Sequence, residues 1–88
     1  MVTAERIADE LMLRGAIAGE GRPLALSCAK QAMEWVANYI HAPDVPEGLF
    51  YTCVELAGSL LDGVEAATAA LPGLFEQALG EVKDKYGL

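Results

Sequence analysis

Basic residues are scarce in this chain, and between Lys30 and Lys83 there are none. Six lysines and arginines stand against thirteen aspartates and glutamates, for a net charge of −7 and a pI near 4.4. Such a balance lacks the basic footprint of a nucleic-acid binder. It equally lacks the polybasic patch that holds a protein to an anionic membrane surface. His41 is the sole histidine, which leaves a catalytic triad or a histidine-rich metal site without partners. Its place at a predicted helix end suits it to satisfying a C-terminal carbonyl. Cys28 and Cys53 form no C-x-x-C pair and sit among apolar residues at helical spacing. They read as two buried free thiols in a reducing compartment, with one disulfide between facing helices as the alternative. Long hydrophobic runs are missing too. The longest uncharged stretch, residues 66–75, is broken by Pro72 and Gly73 and is far too short to span a membrane. The first ten residues carry Glu5, Asp9 and Glu10 and no apolar core of a signal peptide. The expectation is a soluble, cytoplasmic protein.

Apolar residues and alanine are abundant. They make up 53% of 88 residues, with a mean hydropathy of +0.28. A chain of this size forms one domain, residues 1–88, and folding it buries roughly 60–65% of the unfolded surface. The apolar surplus implies either an alanine-padded core or apolar surface covered by another subunit.

The periodicity is helical throughout, and no segment alternates as a strand does. The expected fold class is all-α: a compact bundle of four or five short helices around a central apolar third one. Thr3 can cap the first helix, Ala4, Ile7, Ala8 and Leu11 make its buried stripe, and Gly15 stops it. The glycine-rich stretch 15–22 reads as a loop; a phosphate cradle would need a preceding strand and a Lys-Ser/Thr ending. Pro23 suits the start of a second helix running to about Ile40, with Cys28, Ala32, Trp35, Val36, Tyr39 and Ile40 as its stripe. Pro43 and Pro46 then force a corner, because a residue before proline is pushed from helical angles. A third helix follows from Pro46 or Glu47, apolar on most of its circumference from Leu49 to Val64. Gly58 and Gly63 lie inside that pattern, either for close helix contact or, at Gly63, to end the helix. A last helix is expected beyond Pro72, with Leu74, Phe75, Ala78, Leu79, Val82 and Tyr86 on one face and Lys83 and Lys85 near its end.

The constellations that carry chemistry are missing. Ser27 and Ser59 have no adjacent base or glycine elbow. The acids Glu5, Asp9 and Glu10 lack the spacing of a calcium loop. Trp35 and Tyr39 have no basic neighbours that would make them a base-stacking platform. Neither an enzyme nor a cofactor or metal is expected.

One stretch points to a family. "AMEWVANYI" (32–40), the corner with Pro46-Glu47-Gly48-Leu49, and the apolar helix "FYTCVELAGSLL" follow one another. Over about residues 4–62 the chain resembles the head–tail connector (adaptor) proteins of tailed bacteriophages, small helical subunits that form a ring beneath the portal. Its alanine-rich, acidic C-terminal third departs from the polar, arginine-bearing tail of that family. The resemblance implies a structural assembly subunit, resident in the host cytoplasm and then the virion. Its partners would be its own copies in a ring, the portal and tail completion proteins, without sequence-specific nucleic acid contacts or a membrane. A ring requires one face to meet a different face of the next copy. On this reading Arg6, Arg14 and Arg22 would meet some of Glu47, Glu55, Asp62 and Glu65 of a neighbour, and Asp44 and Glu47 would be exposed contact residues at the corner.

Two other functions fit the composition. A small acidic module, inhibitor- or antitoxin-like, would use the base-free acidic stretch to cover a basic partner surface. An acyl-carrier-like protein would use Ser59-Leu60, although Gly58 stands where that motif has aspartate and Ser59 lies well inside a predicted helix.

Overall fold

The computed structural model describes residues 1–70 and residue 73. The described residues are all-α and contain no strand. Helix α1 (Ala4–Leu13) leads through a loop to α2 (Arg22–Tyr39), and a corner leads to α3 (Phe50–Asp62). A further helical run covers residues 64–70. The expected last helix from Leu74 to Tyr86 lies outside the described residues.

Local chemistry sets each boundary. Thr3 is extended, and its Oγ1 accepts a hydrogen bond from the Arg6 amide at 3.2 Å, satisfying one of the orphan donors of the first turn. Ala4, Ile7, Ala8 and Leu11 fall on one face and are all buried. The helix ends in two nested bonds, from the Gly15 amide to the Met12 carbonyl at 3.0 Å and from the Ala16 amide to the Leu11 carbonyl at 2.9 Å. That closure needs a left-handed residue, and Gly15 supplies it at φ +75°.

The loop after α1 contains one 3₁₀ turn, Gly19–Gly21, before Pro23 enters the first turn of α2. A second nested closure ends α2. The His41 amide donates to the Asn38 carbonyl at 3.3 Å, and the Ala42 amide to the Ala37 carbonyl at 3.0 Å. Here the left-handed residue is His41, at φ +55°. The contact to the carbonyl is made by the backbone amide and not by the imidazole expected to supply it, and the backbone adopts a conformation usually given to glycine.

Pro46 is extended and its carbonyl accepts from the Leu49 amide at 2.9 Å, making a 3₁₀ turn, Glu47–Leu49, that feeds α3. Val45 and Leu49 on either side of this turn are buried and pin the corner to the core. The third helix ends at Asp62, two residues before Val64. Gly63 takes φ +126° and ψ +158°, a region open essentially to glycine alone. Its carbonyl then accepts from the Ala67 amide at 3.1 Å and starts the run 64–70. Val64, expected on the apolar face of α3, lies beyond this break and is 56% exposed.

All three helices pack on one another around a single core. Its large members are Ile7 from α1, Val36 from α2, and Leu49, Val54 and Leu56 from the corner and α3, each essentially without solvent contact. The face that α2 turns inward is small: Ala25, Cys28, Ala29, Ala32 and Val36. Much of the alanine content is therefore core padding. Small residues on the middle helix let α1 and α3 approach it closely, so the core is thin but dense. Trp35 is only half-buried and Tyr39 is 51% exposed, short of the buried stripe expected of them. Residues 32, 36 and 40 form the inward ridge, and residues 35 and 39 lie about 100° round the axis from it.

Candidate interaction surface

The arginines are committed within the chain. Arg6, on the first turns of α1, reaches Glu47 at the corner with Nη1 2.7 Å from Oε1. Its guanidinium also lies over the Phe50 ring, 4.5 Å from the centroid. Two turns further along α1, Arg14 meets Glu55 of α3 at 2.7 Å and Glu10 of its own helix at 3.2 Å, and its guanidinium is 5.7 Å from the Tyr51 centroid. Arg22, at the start of α2, pairs with Asp9 of α1. Of the acids expected to meet these arginines on a neighbouring copy, Glu47 and Glu55 contact Arg6 and Arg14 inside one chain, where they join α1 to the α3 side. The hydrogen bonds that Arg14 donates to Glu55 and, second, to Glu10 raise its pKa above the ordinary value.

The remaining candidates are exposed acids with no counter-ion. Asp44 stands on the corner, Asp62 ends α3, and Glu65 lies in the run 64–70. Among the described residues none of these three, nor Glu5, Glu20 or Glu34, takes part in a salt bridge. With each arginine neutralised locally, what faces solvent is a surplus of carboxylates.

Two of the concave surfaces among the described residues bear on binding. The first is a shallow groove between α1 and α3, where Leu13 and Tyr51 are 83% and 62% exposed. Phe50 forms its floor, with its ring edge-on to Tyr51 at 5.1 Å, and Arg6, Asp9 and Glu10 supply one positive and two negative charges. The second is a cleft of about 440 Å³ between the chain's N-terminal residues, the outer side of α2 and the Pro43–Val45 corner. Val2, Ala4, Met33, Ala37 and Val45 give it an apolar floor. Its charged rim consists of Glu5, Glu34 and Asp44 with Lys30 and the Met1 ammonium.

Sequence reasoning placed Asp44 at an exposed corner but not the rest of this cleft. Lys30 and Glu34 recur at four residues, which reads as a solvated helix face. Only the return of the corner over α2, which no local pattern reports, makes them a rim.

Cys28, Cys53 and Ser59 all occupy helical positions. Both cysteines are free. Burial raises the pKa of each, that of Cys53 to about 12, so both remain protonated thiols near neutrality. Ser59 sits close to the C-terminal end of α3, not at a helix start. Among the described residues no cluster of histidine, cysteine or carboxylate side chains could hold a metal ion, and no helix is long and apolar enough to cross a membrane. No family model, curated protein or solved structure matches the chain.

Proposed function

We propose that this chain is a structural assembly subunit of a tailed-phage particle, a connector-type adaptor that works by presenting an acidic helical surface to protein partners. The supporting observation is the charge arrangement. Arg6, Arg14 and Arg22 are spent inside the subunit, so its exposed unpaired acids are free to meet other proteins. An acidic surface also lets DNA pass without adhering, as a subunit around a DNA channel requires. The resemblance over residues 4–62 supplies the class of particle. In that reading the Pro46-Glu47-Gly48-Leu49 signature is architectural, since it forms the turn that aims α3 and seats Leu49 in the core.

The test is genetic and visual. A phage or prophage deprived of this chain should yield heads and tails that stay separate under the electron microscope, restored by supplying the chain in trans. Intact, infectious particles without it would end the proposal.

The same unpaired acids favour a second reading, a small acidic module that covers the basic surface of one partner. It predicts a stable one-to-one complex with a basic protein and no larger assembly. The two readings part on the mass of the complex.

A further inference from the structure

We propose that the cleft between the N-terminal residues, α2 and the Pro43–Val45 corner is a docking site for a segment of a different protein that carries an apolar anchor side chain flanked by lysine or arginine. The inference rests on the reading of the chain as a protein-binding subunit and says where the partner sits and what it must look like.

The cleft has the form of a side-chain receptor. At about 440 Å³ it falls in the range of sites that enclose a ligand group. Val2, Ala4 and Val45 are buried and give it a fixed apolar floor, while Met33 and Ala37 are half-buried at its side. Met33 is unbranched and polarizable, so it can reshape around different apolar anchors. A purely apolar occupant would leave the rim unmatched. Three carboxylates, Glu5, Glu34 and Asp44, stand against Lys30 and the Met1 ammonium, a net negative rim, and none of these groups is in a salt bridge within the described residues. Complementarity therefore asks for positive charge beside the anchor.

The same arithmetic decides between a second copy and a foreign chain. A second copy carries −7 overall. Its arginines are already paired, and its residues 74–86 set Lys83 and Lys85 against Glu76, Glu81 and Asp84. Such a segment brings no net positive charge to an acidic rim. A basic segment of another protein does.

The probe is a short acetylated peptide of alternating leucine and lysine, added to the full-length chain and followed by amide NMR. Shifts should concentrate at Val2, Met33, Ala37 and Val45, and affinity should fall as salt rises. Replacing the peptide's lysines by glutamate, or its leucines by serine, should each abolish binding. Glu34→Lys with Asp44→Lys should weaken binding at least tenfold. Both side chains are exposed, so the variant's circular dichroism should match the parent, and Glu34→Gln with Asp44→Asn should weaken binding less. Absence of binding overturns the proposal, as do shifts centred on Glu20, Asp62 or Glu65, or unchanged affinity in the charge-reversed variant. Any of these failures leaves the assembly reading standing, because unjoined heads and tails in the absence of the chain do not depend on this cleft.

Discussion

Arg14 and Glu55 meet at 2.7 Å across the α1–α3 seam, forty-one residues apart in sequence. Glu10 holds the same guanidinium from the α1 side, and Tyr51 lies beneath it. This three-way contact makes the arginine part of the chain's own scaffold. In a double-mutant cycle, Arg14→Gln and Glu55→Gln should each lower the unfolding midpoint slightly and show a favourable coupling that shrinks as salt is raised. Native mass should not change in any of the variants. A coupling of zero in low salt, or a loss of oligomer without loss of subunit stability, would assign the pair to an interface between copies.

His41 occupies a left-handed position that costs a non-glycine residue on the order of 1–2 kcal/mol, partly offset by the greater freedom of glycine in the unfolded chain. His41→Gly should therefore stabilise the fold by about 0.5–1 kcal/mol in urea unfolding. His41→Val, β-branched and poorly suited to that region, should destabilise it.

The two interior glycines of the α3 pattern should respond with opposite signs. A methyl group at Gly58 would lie 3.6 Å from Leu11 Cδ2, an ordinary contact, so Gly58→Ala should gain up to about 1 kcal/mol of helix propensity. A methyl group at Gly63 meets nothing within 4 Å, yet the backbone there has φ +126°. Gly63→Ala should cost about 1–3 kcal/mol through conformation alone. Thermal unfolding of the two variants side by side reads the difference.

Burial of Cys53 makes stability depend on alkaline pH. Its folded pKa is raised to about 12, while an unfolded thiol titrates near 8.5. Between those values the unfolded chain has lost the proton and the folded one keeps it, so stability falls as pH rises. The contribution is complete below about pH 8.5, and each further unit removes up to about 1.4 kcal/mol per thiol. Cys53→Ala should be less stable at pH 7 but should lose less on going from pH 8 to pH 10. Parallel pH profiles for the two proteins would remove Cys53 from the explanation.

The parts of the fold legible in sequence were those set by local chemistry. Thr3, Gly15, Pro23 and the Pro43/Pro46 pair mark boundaries because capping, left-handed closure and proline geometry act within a few residues. The close of α2 was less legible because histidine, not glycine, takes the left-handed place. Tyr39 was read into the buried stripe because a stripe read from spacing has no sharp edge, and packing against small residues decides where burial stops. The arginine pairings were out of reach. Which acid an arginine finds depends on how α1 lies against α3, and segregation of charge along the chain suggested contacts between copies instead.

A connector-type subunit, as proposed for this chain, assembles with other particle proteins. The most direct measurement is light scattering on the complex recovered when the chain is co-expressed with the portal and tail completion proteins of its own particle. The account predicts a closed assembly holding many copies of this chain together with the portal. A chain that elutes free of the portal, as a monomer or bound one-to-one to a single basic protein, would contradict it.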